Sequence, residues 1–199
     1  MHTPLYLASA SPRRHELLLQ IGIAHTVLHV PAQGNEDEPI LANETARHYV
    51  QRTALEKLQH ALQWRTTRPD LNQDWPVLCA DTTVELDGHI LGKPADLNDA
   101  AAILQRLSGR THQVHSACCL GYKGQIYQAL STSTIQFKAL STAEIEHYCA
   151  SNEPLGKAGA YGIQGRAAVF IQHLEGSYSS VMGLDLYQTH QLLHQAGLQ

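Results

Sequence analysis

The richest local chemistry in the chain lies in six consecutive residues, Ser9-Ala10-Ser11-Pro12-Arg13-Arg14. Ser11 suits a helix N-cap and Pro12 the first helical position. The two arginines then fall in the first helical turn, where acidic residues normally complement the positive end of the dipole. Two cations beside unpaired backbone N–H groups make sense if an anion binds there. Phosphate suits best, because guanidinium can meet it through two parallel hydrogen bonds. Residue types alone leave a second account open, two solvated arginines on an exposed helix start.

A second candidate is Asp81, which follows the apolar run Pro76 to Ala80. A strand ending there would open into the ligand crevice of an α/β fold. Thr82, Thr83 and Lys93 stand close by in sequence. A carboxylate near a lysine suits metal-assisted phosphoryl chemistry, the Asp positioning a metal or activating water while Lys offsets phosphate charge. The acidic run Asn35-Glu36-Asp37-Glu38 could add a carboxylate to a divalent metal, or be a solvated loop. From Lys157 to Gly165, glycine recurs at every third position, spacing that allows backbone to approach a ligand without making a P-loop. Gln164 within it can donate and accept, and so read a base edge. Ser177 to Ser180 offers another N-cap that could face phosphate.

The elements needed to position these groups alternate throughout the 199 residues. Strands are expected at Leu5–Ala8, Thr26–Val30, Pro76–Ala80, Thr111–Tyr122, Ile126–Phe137 and Ala168–Leu174, and a hairpin at Asp87-Gly88. Helices are expected from Ser11 to Gly22 with a stripe of Leu17, Leu18 and Ile21, and from Glu44 to Trp64. Others follow, one capped by Asp96 or Asn98 and running to Leu107, one from Ser141 to Ala150 as a capping box, and one from Leu184 to Ala196. The mixture predicts an α/β or α+β fold of one domain, with no clean internal boundary.

Bulk composition removes several function classes. A formal charge of -4 argues against broad binding to a nucleic-acid polymer. No apolar run approaches the roughly 20 residues needed to span a bilayer, and the N-terminus lacks signal-peptide character. Cys79, Cys118, Cys119 and Cys149 lack CxxC spacing and read as reduced, buried thiols of a cytoplasmic protein. Cys118 and Cys119 should face opposite sides of a strand, as should His112 and His115. The thirteen histidines therefore suggest no metal cluster.

Four blocks in order, LASASPRR, CADTTVELDGHILGKP, LSGRTHQVHSA and EPLGKAGAYGIQGRAAVFIQHLEGSYSSVMGL, resemble the Maf family of septum-formation inhibitors, and they cover nearly the whole chain. The resemblance implies two α/β lobes around a deep substrate cleft, a fold like that of the enzyme hydrolysing inosine triphosphate. It implies hydrolysis of a nucleoside triphosphate to the monophosphate and pyrophosphate with a divalent cation such as Mg2+ or Mn2+. By that resemblance Asp81 is the proton acceptor, Ser11, Arg13 and Arg14 meet the phosphates, and Lys57 and Lys93 are cleft lysines. Glu38, or else Glu36, joins Asp81 at the metal. Arg13, Thr82 and Gln164 resemble the branch acting on dTTP, UTP and modified pyrimidine nucleotides. The rivals are 7-methyl-GTP as substrate, or a nucleotide- or protein-binding regulator of septum formation without important turnover. A homodimer is compatible with the resemblance. Two positions depart from the family pattern: Gly156 replaces an Asp, expected to loosen the loop placing Gln164, and Asp185 replaces a Pro.

Overall fold

The computed structural model describes residues 4–31 and 39–198. Its order is β1 (Leu5–Leu7), α1 (Pro12–Gln20), β2 (His25–Val27), α2 (Ala46–Thr66), β3 (Val77–Leu86), β4 (His89–Leu91), α3 (Leu97–Leu107), β5 (Thr111–Tyr122), β6 (Gln125–Phe137), α4 (Thr142–Cys149), β7 (Ile171–Glu175), α5 (Tyr178–Met182) and α6 (Leu186–Gln195). The strands form one mixed sheet in the order β2-β1-β3-β5-β6-β7, with β4 also paired to β3. The α/β expectation holds. No helix among the described residues is long and apolar enough to cross a membrane.

Side-chain alternation sorts the core onto the two faces of β3. On the odd-numbered face Val77 and Cys79 pack with Ala117 and Cys119 beneath α2. That helix turns Val50, Ala54, Leu58 and Ala61 inward, a spacing of four, four and three that keeps them on one stripe. Gly121 permits the close approach, since a Cβ there would lie 2.9 Å from Leu62 Cδ1. On the even-numbered face Leu78, Ala80 and Cys118 pack with Leu17 and Leu18 of α1 and Leu192 and Leu193 of α6. Farther along, Val84, Leu86, Val114 and Phe137 pack against Ala100, Leu104 and Leu107 of α3. Cys118 and Cys119 thus face opposite ways, as expected. The four cysteines are buried and free. Burial pushes the Cys79, Cys118 and Cys119 thiols up to about 12, which makes them poor nucleophiles.

Several expected boundaries shift. β3 does not end at Asp81 but runs to Leu86, because β5 pairs with it from Val77 through Glu85. β2 is shorter than Thr26–Val30, and the segment Arg166–Phe170 is a 3-10 turn leading into β7. Ile21 follows α1 as its C-cap and is exposed rather than part of the stripe. The final helix is found as α6, with Asp185 as N-cap, but it is preceded by an unexpected short α5 that ends at Gly183, φ 125°.

One consequence of the register makes the site. On the β3 edge away from β5, β1 reaches only to Leu78, and β4 begins at Val84. The β3 residues between them, Cys79 to Thr83, pair with no strand on that side among the described residues. The sheet therefore carries a notch, and side chains from both its faces reach one cleft there.

Candidate active site

The notch opens into a cleft of about 1230 Å³. Ser11, Arg13, Arg14, Lys57, Asp81, Thr82, Lys93 and Gln164 all line it, so every described residue expected at the site is brought to one place. Glu36 and Glu38 lie outside the described residues. Pro31 and Pro39, on either side of them, border the cleft.

Asp81 points to the α2 side. Its Oδ1 accepts from Lys57 Nζ at 2.6 Å, and its Oδ2 from Thr53 Oγ1 at 2.7 Å. Thr53 and Lys57 are one helical turn apart, so a single face of α2 supplies both donors. Two such bonds fix the carboxylate plane while using only half of its lone-pair sites. Lys57 is a contact across 24 positions of sequence.

Thr82, the next residue, points to the opposite face. Its Oγ1 lies 3.1 Å from Ser116 Oγ, and Arg14 Nη2 reaches it at 3.5 Å. Arg14 also donates from Nη1 to Ser9 Oγ at 3.1 Å and from Nε to Gly183 O at 2.7 Å. Arg13 Nε donates to Met182 O at 3.1 Å. Both arginines thus hang on the carbonyls that end α5, groups a helix leaves unpaired. Ser11 is the N-cap of α1 as expected, but its side chain bonds none of the first-turn amides, which leaves the hydroxyl to the cleft.

Burial lowers the Arg14 guanidinium from its ordinary value; Asp81 opposes that shift, and Arg13 adds to it. Burial also lowers Arg13, against Glu16. Two desolvated like charges held together are costly unless an anion joins them. Among the described residues lining the cleft there are six lysines and arginines against two carboxylates, Glu56 and Asp81. Among the described lining residues cations are thus in excess, although the whole protein carries a net charge of -4.

Two contributors escaped sequence reasoning. Lys157 had stood out only as the start of the glycine segment. It lines the cleft, donates to Glu153 O, and is lowered first by burial, then by Arg13, against Glu153. Thr53 carried no signal, since its partner is 28 positions away. The segment Ser177 to Ser180 does not face the cleft; Ser177 Oγ caps α5 by accepting from Ser180 N at 3.2 Å.

The loop that carries Gln164 is tied at several points. Gly159 N donates to Gly92 O at 3.1 Å, and the Glu153 carboxylate joins Tyr148 Oη to Arg166 N. Gly156 itself adopts φ 70°, which a residue without Cβ takes up at no steric cost. Gln164 is an exposed side chain at the cleft margin.

Among the described residues no three His, Cys, Asp or Glu side chains converge as a metal site. The donors do fit Mg2+ or a similar hard cation, which takes one or two carboxylates and completes its shell with phosphate oxygens and water. Asp81 keeps lone pairs for that role.

Fold and cleft together define a mixed α/β protein built to receive a polyanion beside one oriented carboxylate. The chain belongs to the Maf family: residues 4–196 match the family model for Maf-like protein. It is 54% identical over 196 residues to the dTTP/UTP pyrophosphatase of Bordetella pertussis, covering 98% of this chain and 93% of that one. The dTTP/UTP pyrophosphatase of Cupriavidus pinatubonensis is 50% identical, with 100% and 99% covered. The nucleoside triphosphate pyrophosphatase of Haemophilus ducreyi is 46% identical, with 100% and 98% covered.

Proposed function

We propose that this chain is a nucleoside triphosphate pyrophosphatase acting on dTTP and UTP, including modified pyrimidine nucleotides, and releasing the monophosphate and pyrophosphate. The observation that carries the reading is the meeting of Asp81, held by Lys57 and Thr53, with the Arg13–Arg14 pair in one cleft. A protein that only bound nucleotide would need the cations but not an oriented carboxylate beside them. The names of the relatives in Bordetella and Cupriavidus support the same substrate class.

In this reading a water oxygen forms a bond to the α-phosphorus and the bond from that phosphorus to the bridging oxygen of pyrophosphate breaks. Asp81 holds the water and takes its proton. Pyrophosphate leaves with the electron pair of the broken bond. Arg13, Arg14, Lys57, Lys93 and Lys157 offset charge that grows on the phosphate oxygens. Ser11 adds a hydroxyl donor, while Thr82 and Gln164 shape the nucleoside side. A divalent cation would be held by Asp81, with Glu38 as the second carboxylate the family resemblance points to. When bound it supplies further charge neutralisation on the phosphates.

The test is pyrophosphate release from dTTP, UTP, CTP, dGTP and 7-methyl-GTP, with Mg2+ or Mn2+ and with chelator. Selective, metal-dependent cleavage of dTTP and UTP is expected. Preference for 7-methyl-GTP would remove the substrate assignment, and no cleavage of any nucleotide would remove the enzymatic one.

A further inference from the structure

Arg13 and Arg14 do not position themselves. Each depends on a carbonyl, of Met182 and Gly183, and these carbonyls belong to the elbow between α5 and α6. One anchor of that elbow is a carboxylate outside the cleft. Asp185 is only 5% exposed and uses both oxygens. Its Oδ1 accepts from Gln188 N at 3.0 Å, which caps α6. Its Oδ2 accepts from Ser131 Oγ at 2.5 Å, and Ser131 lies on β6 beside Ser116 of β5. Ser116 in turn touches Thr82. One layer of the sheet, Thr82–Ser116–Ser131, therefore ends on the residue two positions after Gly183.

Capping alone would need only Oδ1. The bond to Ser131 does something a cap does not: it ties the start of α6 to the sheet. The elbow is otherwise held to its own helix, through Gly183 N and Leu184 N on Ser179 O and Leu186 N on Ser179 Oγ, and to the sheet by Thr82 Oγ1, which donates to Gly183 O at 3.4 Å, and by the buried Leu184. Gly183, at φ 125°, has the wide backbone freedom of glycine and needs such an external constraint.

Resting on the functional reading above, we propose that Asp185 is a positioning residue for phosphate recognition. Through Ser131 it clamps the α5–α6 elbow to β6, and so sets where the Met182 and Gly183 carbonyls hold the two arginines. Gln164, the base-side group farthest from the elbow, lies on a separate loop that none of these bonds reaches.

The experiment compares wild type with Ser131→Ala, Asp185→Ala and Asp185→Pro. It reads melting temperature, kcat and KM for dTTP, and inhibition by pyrophosphate and by thymidine, with direct pyrophosphate binding by calorimetry alongside. Ser131→Ala leaves the α6 cap intact, so a purely structural role for Asp185 leaves pyrophosphate affinity unchanged. The clamp instead predicts that pyrophosphate affinity weakens and KM rises by about ten-fold, the size of one charge-assisted bond. The inhibition constant for thymidine should move less than about two-fold on the same scale. Asp185→Ala should do the same and also lower the melting temperature by removing the cap.

Asp185→Pro is the rescue. The native φ of -71° lies within the range of proline, so the ring can restrain the elbow without the carboxylate. Pyrophosphate affinity should return towards wild type, and adding Ser131→Ala to it should change nothing further. Unaltered pyrophosphate affinity in Ser131→Ala, or equal weakening of thymidine, overturns the clamp. A wild type that binds pyrophosphate but cleaves no nucleotide overturns the functional reading and leaves the clamp to stand or fall on calorimetry. A wild type that binds no pyrophosphate overturns both.

Discussion

The two sides of the cleft hold their charges by different means. On the α2 side, the anion Asp81 is met by a cation and a hydroxyl, all through side chains. On the α1–α5 side, the cations Arg13 and Arg14 each sit on a backbone carbonyl, and Arg14 also reaches the hydroxyls of Ser9 and Thr82. A side-chain pair such as Lys57–Asp81 can separate when a substrate phosphate or metal competes for either partner. A guanidinium seated on main-chain carbonyls moves only if the chain moves. The first arrangement suits a group that must change partners during a reaction, the second a group that must stay still while phosphate arrives. Asp81 and Thr82 are adjacent on β3, and strand alternation alone sends them to these two sides.

The sharpest way to break the contrast is Asp81→Asn. If the α2 side carries the proton transfer, kcat for dTTP should fall by about a thousand-fold, within the range for loss of a general base. Pyrophosphate inhibition measured without divalent metal should stay near wild type, because the arginine side is untouched. A variant that keeps more than a tenth of wild-type turnover would remove Asp81 as the base.

Arg14→Ala tests the other side, with a smaller effect. Loss of a preorganised, desolvated donor should cost about a hundred-fold in kcat/KM, shared between KM, through lost phosphate binding, and kcat, through charge that grows in the transition state. Pyrophosphate inhibition should weaken in parallel, and the melting temperature should drop because Gly183 O loses its partner. Arg13→Ala should show the same kinetic split with less loss of stability, since Arg13 makes one carbonyl bond where Arg14 also reaches Ser9 and Thr82. If either change lowered kcat alone, the division of labour between the sides would be wrong.

The same contrast decides what could be read in the sequence. The arginine side begins in six contiguous residues, and its oddity is local: two cations where a helix start favours anions. The element pattern was legible too, because strand alternation, the Asp87-Gly88 turn and the Ser141 capping box are short-range signals. The α2 side was not legible from residue types. Lys57 entered only through family resemblance, and Thr53 not at all, because their meeting with Asp81 is made by the packing of α2 on β3. The misplaced strand end at Asp81 has the same origin. A β3 strand running on past its neighbour β1 is a fact of register, and no composition shift at residue 81 marks it. Asp185 shows the limit from another angle: it reads as a departure from the family pattern, and only Ser131, 54 positions away, shows what the carboxylate holds.

Thr53→Val gives the finest test of the α2 side. Valine keeps the shape and removes the hydroxyl, so the buried packing under α2 is little disturbed, although the bond from Thr53 Oγ1 to Val50 O is also lost. Oδ2 of Asp81 then loses one of its two anchors while Lys57 keeps the other. A neutral donor to a carboxylate is worth about 1 to 1.5 kcal/mol, which corresponds to a five- to ten-fold fall in kcat if orientation of the carboxylate limits the reaction. KM for dTTP and the inhibition constant for pyrophosphate should hold. The measurement is steady-state kinetics on both nucleotides with product inhibition run in parallel, and Thr53→Ser serves as the control that restores the hydroxyl. Recovery of kcat in the serine variant would tie the loss to the bond. A fall in pyrophosphate affinity in the valine variant would mean that the two sides of the cleft are coupled through Asp81 and cannot be assigned separate tasks.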